Sequence, residues 1–194
     1  MVLWDWDRRI PLAIFSMIIE GMVMTDPVSD FLNSLGPGLK EFVEPLPALL
    51  RSPSQQFVAR LGPRIGKGST REAYEANDNP NTVIKKADSL FANVAEFLIW
   101  NSVRTTDLRE HFGEIFSISE DGLFLEMEKL GDISKSDYWR VPTLPYAFND
   151  LKPSNFGTTT DGRIKVRDYA MFDLSHALET ETKSRPGWAI YPPG

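Results

Sequence analysis

Phe148-Asn149-Asp150-Leu151-Lys152-Pro153-Ser154-Asn155-Phe156-Gly157, answered by Arg163-Ile164-Lys165-Val166-Arg167-Asp168-Tyr169, is the stretch from which the rest of the chain can be read. It sets out an aspartate, a lysine two positions on, an asparagine three beyond that, and a second aspartate closing a strand-like run. Taken singly, these residues have ordinary structural readings. Asp150 can initiate a turn ahead of Lys-Pro, Asn155 can take a left-handed turn position before Phe-Gly, and Asp168 can end an edge strand. Their ordered combination is what points to chemistry.

In that order the residues resemble the protein-kinase-like family. Asp150-Leu151-Lys152-Pro153-Ser154-Asn155 matches its catalytic loop, and Asp168 stands where the family carries the aspartate of Asp-Phe-Gly. The resemblance implies ATP- and Mg²⁺-dependent phosphoryl transfer, in which catalysis rests on positioning and on answering dispersed phosphate charge. Asp150 would accept the proton of the attacking hydroxyl and Lys152 would compensate charge on the transferred group. Asn155 and Asp168 would supply the hard oxygen ligands that Mg²⁺ prefers.

The upstream chain extends the resemblance. Arg64-Ile65-Gly66-Lys67-Gly68-Ser69-Thr70-Arg71-Glu72-Ala73-Tyr74 reads as a hairpin about a glycine turn. It resembles the family's phosphate-covering loop, with Ile65, Gly66, Gly68 and Ala73 at nucleotide-facing positions. Glycine lets backbone amides approach phosphate oxygens closely. The third glycine position holds Arg71, a departure that places a cation or a lid there. Thr82-Val83-Ile84-Lys85-Lys86 reads as a strand whose alternation sends Lys85 and Lys86 to opposite faces. Lys85 fits the family's phosphate-contacting lysine. Ser89 to Val103 reads as a helix, and Glu96 within it resembles the glutamate that pairs with that lysine. Phe112 to Ser119 and Leu123 to Glu128 read as a second hairpin about Glu120-Asp121-Gly122. By resemblance, Met127 would back the nucleotide pocket, and Glu128 to Leu130 would form a hinge whose backbone reads the base.

The chain also departs from the family. The interval from Met127 to Asp150 is too short for the two helices a full kinase places there, and Phe148-Asn149 replaces the usual His-Arg. Tyr169-Ala170 replaces Phe-Gly. Residues 171–178 read as a short helix and 180–194 as a Pro/Gly-bearing tail. At the other end, Leu12, Phe15, Ile18, Ile19 and Met22, then Val28, Phe31, Leu32 and Leu35, recur at helical spacing. These stripes suit core packing or partner docking. The apolar run 10–24 is shorter than the ~20 residues a spanning helix needs, and no secretory signal is recognisable.

Composition bounds the partners. The 194 residues are 42% hydrophobic and 25% charged, as in an ordinary globular protein. A net charge of −6 argues against nucleic acid held by general electrostatics. The absence of cysteine excludes disulfides and thiolate chemistry. The cytoplasm is the default compartment, with no membrane partner.

The expected fold is therefore α+β and two-lobed, resembling a compact kinase core. It comprises a helical extension over 1–54, an antiparallel sheet with one helix over 55–130, and a strongly reduced second lobe over 131–194. The expected activity is phosphoryl transfer from ATP to Ser/Thr hydroxyls of a protein. A pseudokinase-like binding protein that inhibits or redirects a partner is the alternative, and a small-molecule kinase a third reading. The N-terminal helices offer a surface for a partner or a second copy.

Overall fold

The computed structural model describes residues 52–145, 148, 150–171 and 183–189. The N-terminal apolar stripes and the helix expected after Met171 lie outside these residues. Strands β1 (Leu61–Lys67), β2 (Arg71–Ala76), β3 (Thr82–Ala87), β4 (Ile115–Ile118) and β5 (Phe124–Glu128) form an antiparallel sheet in the order β1-β2-β3-β5-β4. Helices α1 (Ser54–Arg60) and α2 (Leu90–Val103) accompany it.

The sheet is covered on both faces, so its central strand is apolar on both sides, as burial demands. In β3, Ile84 enters a small cluster with Phe57, Ala76 and Phe124, whereas Val83 enters a larger one with Val94, Phe97 and Trp100 of α2. The helix read from Ser89 to Val103 is thus α2, with Ser89 in the extended conformation of an N-cap residue.

Helix α1 is not legible as a helix in the sequence. Seven residues with one buried apolar side chain, Phe57, give no periodic stripe. Tertiary contacts hold the helix instead. Phe57 stacks on Phe124 with ring centroids 5.8 Å apart. Arg60 donates to both carboxylate oxygens of Glu126, at 2.5 and 2.8 Å, and to Asp78 at 2.6 Å.

Beyond the first sheet, β6 (Gly131–Asp132), β8 (Phe156–Thr158) and β9 (Ile164–Val166) form a second one in the order β6-β8-β9. Gly157 lies where these strands come closest: a Cβ there would sit 2.5 Å from Leu130 Cβ and 2.8 Å from the Gly131 carbonyl. The stretch from Gly131 to Pro145 is mostly loop with a 3₁₀ turn at Lys135–Arg140. It ends in β7 (Leu144–Pro145), which pairs with β10 (Lys183–Ser184).

The C-terminal stretch expected to be a tail is partly built into the fold. The Trp188 indole N–H donates to the Leu151 carbonyl at 2.5 Å, and its rings meet Tyr138 and Phe156 edge-on at 4.7 and 5.3 Å. Tail-like Pro/Gly composition hid one anchoring aromatic. The larger apolar cluster runs from Val83 and Leu125 of the first sheet through α2 to Phe156, Val166, Tyr169 and Ala189. The architecture is a mixed α+β one, and among the described residues no helix is long and apolar enough to cross a membrane.

The β4–β5 hairpin turns at Gly122, whose φ of 71° is the left-handed conformation that favours glycine. Asp121 organises the turn, accepting from the Ser119 hydroxyl at 2.6 Å, the Leu123 amide at 3.0 Å and the Ser54 hydroxyl at 2.5 Å. Burial alone would raise its carboxyl, but these donors outweigh burial and leave it below the usual 3.8. A carboxyl depressed in the folded state adds stability above its unfolded value, and that stability is lost as pH falls through the folded value. Asp121→Asn is therefore expected to be less stable than wild type near neutrality. The gap should narrow as pH falls below the unfolded value of 3.8 in urea denaturation series.

Candidate functional site

Strand alternation delivers the first pair. Lys86 of β3 points to solvent, while Lys85 faces α2 and is buried. There its ammonium donates to both oxygens of Glu96, at 2.8 and 2.9 Å, and to the Arg167 carbonyl at 2.7 Å. Glu96 is fully buried on α2 and also accepts the Tyr169 amide at 2.9 Å. Burial pulls the Lys85 ammonium below its ordinary value, against the opposing pull of Glu96. A buried pair of this kind contributes little net stability, because desolvation consumes most of its attraction. Its effect is to fix where the ammonium points.

The residue whose position sequence reading left open is Arg71. Ala73 pairs with Lys85 across β2 and β3, so the two share a face, and Arg71, two positions before Ala73, shares it as well. Its guanidinium reaches Glu96 Oε2 at 2.5 Å with Nη1 and Asp168 Oδ1 with Nη2. The signal was available: a cation replaces the third glycine, at even spacing from a residue on the lysine's face.

The second group comes from the loop before β8. Asn155 lies in the 3₁₀ turn Pro153–Asn155, and no non-glycine residue among those described has a positive φ. It is therefore not the left-handed turn residue that one reading allowed. Its buried amide donates to the Asp150 carbonyl at 2.7 Å and to Asp150 Oδ2 at 2.9 Å. Lys152 donates to the same oxygen at 3.0 Å. The β8–β9 hairpin then pairs Phe156 with Val166, and the Arg167 amide donates to the Asn155 carbonyl at 2.7 Å. Asp168, the next residue along, thereby ends beside the loop.

Asp168 is 44% exposed at its side chain. Its partial burial would raise the carboxyl, and Lys85, Arg71 and Lys152 reverse that, so its pKa lies below the ordinary value. Its neighbour Tyr169 is locked into the core. The hydroxyl donates to the Gly113 carbonyl at 2.8 Å and the ring meets Phe112 edge-on at 5.1 Å. Burial, reinforced by Glu96, pushes the phenol well above its ordinary value.

The remaining positions are distributed around this cluster. Gly66 pairs with Ala73, which pairs with Lys85, so one row of the sheet runs from the glycine hairpin to the lysine. Ile65 is exposed on β1. Met127 and Leu130 are buried in the core. Glu128 is held by Lys165 at 2.6 Å, and its amide donates to the Glu114 carbonyl at 2.8 Å. The Lys129 amide donates to the Asn81 carbonyl at 2.8 Å. Direct contacts thus join Lys85, Glu96, Arg71 and Asp168, and separately Asp150, Lys152 and Asn155. The glycine hairpin connects to them through the sheet, and Met127, Glu128 and Leu130 through packing.

Among the described residues no group of three or more histidine, aspartate or glutamate side chains is arranged to hold a metal ion. Asn155 and Asp168 carry oxygen donors of the kind that Mg²⁺ accepts. With the Asn155 amide nitrogen committed to the loop, its Oδ1 is the atom left to ligate. One amide oxygen and one carboxylate form the sparse donor set that Mg²⁺ accepts when phosphates and waters complete it.

No protein-family model and no curated protein matches this chain.

The glycines divide by what surrounds them. A Cβ on Gly66 would meet only Ala73 Cβ at 3.8 Å, and one on Gly68 only the Arg71 carbonyl at 3.5 Å, both ordinary contacts. The fold does not require glycine at either. Gly66→Ala and Gly68→Ala are expected to change unfolding free energy by less than about 1 kcal/mol in denaturant titrations. Gly157→Ala, forced against Leu130 and Gly131, is expected to lose about 1–3 kcal/mol.

Proposed function

We propose that this chain is a phosphotransferase of compact, two-lobed kinase-like form, which moves the terminal phosphoryl group of ATP to a Ser/Thr hydroxyl of a protein with Mg²⁺. The observation that carries this reading is the buried Lys85–Glu96 pair. Its ammonium also bonds the Arg167 carbonyl, adjacent to Asp168 and one hairpin away from Asp150. A cation buried on a carboxylate, with further carboxylates nearby, is a costly arrangement for stability alone. It suits the binding of a polyphosphate.

Each residue then has a defined task. Lys85, aimed by Glu96, answers phosphate charge, and the open glycine hairpin covers the phosphates with Gly66 and Gly68. Ile65 and Ala73 flank that hairpin on the nucleotide side. Met127 backs the base, and the Glu128–Leu130 segment borders it. Asp150 Oδ2 is held by Lys152 and Asn155, which leaves Oδ1 to take the acceptor hydroxyl's proton as its oxygen bonds phosphorus and ADP departs. Lys152 offsets the negative charge that develops beside Asp150. Asn155 and Asp168 would hold the Mg²⁺, which when bound shields the charge of the phosphates.

One observation favours the second reading, a pseudokinase-like binding protein: Asp168 is already engaged by Arg71. Asp150→Asn separates the two. Phosphate transfer from ATP to protein acceptors is expected to fall by about 10²–10⁴-fold, the usual contribution of a general base, with ATP affinity by calorimetry retained. Asp168→Ala is expected to abolish the Mg²⁺-dependent part of ATP binding. If a folded wild-type chain binds no ATP, the phosphotransferase reading fails. If it binds ATP and its effect on a partner survives Asp150→Asn, the binding-protein reading replaces it.

A further inference from the structure

Arg71 has no role in the reading above, and its surroundings are not those of a surface cation. Its side chain is 9% exposed, and each arm of the guanidinium ends on a different carboxylate. The two carboxylates depend on it unequally. Glu96 keeps Lys85 on both oxygens and the Tyr169 amide without Arg71. Among the described residues, Arg71 is the only cation in salt-bridge contact with Asp168.

Formal charge sharpens the asymmetry. Lys85 and Arg71 balance Glu96 and Asp168, so the ligand-free quartet is neutral. A divalent cation arriving alone at Asp168 either displaces the guanidinium arm from Oδ1, leaving that arm buried without its partner, or settles on Oδ2 beside it, and in both cases adds two positive charges next to the guanidinium. An entering polyphosphate reverses both penalties. It offers the planar donor fork a new set of oxygens, for which guanidinium is well shaped, and it cancels the added charge.

We propose that Arg71 guards Asp168. Its guanidinium holds the carboxylate against a lone divalent cation and yields it in exchange for phosphate oxygens, so that cation and nucleotide are taken up together. The position of Arg71 in the glycine hairpin suits this exchange, since its carbonyl already receives the Gly68 amide at 2.7 Å and ties the hairpin tip to the guard. The nucleotide half of the exchange rests on the phosphotransferase reading. The cation half does not.

The deciding measurement is calorimetric titration of the full chain with Mn²⁺ in the absence of nucleotide. Arg71→Gln removes the charge and keeps a hydrogen-bonding head. It is expected to bind Mn²⁺ at least about tenfold more tightly than wild type, within the ~5–150-fold range of coupled sites. The gain should vanish in the double variant Arg71→Gln/Asp168→Asn. Equal Mn²⁺ affinity in wild type and folded Arg71→Gln overturns the proposal, as does a gain that persists without Asp168. Metal-free ADP is expected to bind Arg71→Gln at least about fivefold more weakly than wild type, and unchanged ADP affinity overturns the exchange.

Should Arg71→Gln lose its cooperative melt, Arg71→Lys takes its place. One ammonium cannot span two carboxylates as the guanidinium fork does, so a smaller tightening of Mn²⁺ binding is expected. Loss of the melt in both variants makes Arg71 a folding determinant and overturns the guard. A wild-type chain that binds no ADP removes the exchange along with the phosphotransferase reading, while the Mn²⁺ titrations still decide whether Arg71 holds Asp168 against a cation.

Discussion

One carboxylate, Glu96, collects four donated hydrogen bonds from three separate parts of the chain: two from Lys85 on β3, one from Arg71 at the start of β2, and one from the Tyr169 amide beyond β9. It lies on a helix and is fully buried. A charge so placed is tolerable only while donors such as the Lys85 ammonium and the Tyr169 amide stay in position. The register of the sheet, the seating of α2 and the path of the chain past Asp168 are therefore constrained together by one side chain. The apolar cluster around it supplies the driving force for folding, and Glu96 ties three of the packed segments to one point.

The parts legible in the sequence were those with a period or a turn signature. The β3 alternation separated Lys85 from Lys86, the 3.6-residue stripe marked α2, and Asp121-Gly122 marked the β4–β5 turn. What escaped had its cause elsewhere in the chain. Helix α1 has too few residues to show a stripe and is held by Phe124 and Glu126, more than sixty positions away in sequence. Trp188 sat in a stretch whose Pro/Gly content resembles a tail. Arg71 was visible as an irregularity, yet its two partners lie 25 and 97 positions further along, and no local rule could supply them.

The site combines rigid and accessible parts. Lys85, Glu96 and Tyr169 are buried, and Glu96 bonds both of the others, which makes them a fixed platform. Asp150, Lys152 and Asp168 keep their heads at least partly open to solvent, as groups that meet an incoming molecule must. A precise interior carrying an approachable edge is the division of labour that the proposed phosphoryl transfer would require.

The indole of Trp188 holds the Leu151 carbonyl from 37 positions downstream. The loop bearing Asp150 and Lys152 is therefore supported by a residue synthesised well after it. As a chain emerges from the ribosome, that loop is complete before its support has been made. In the order of manufacture the loop with Asp150 comes first, and the indole that braces it comes late.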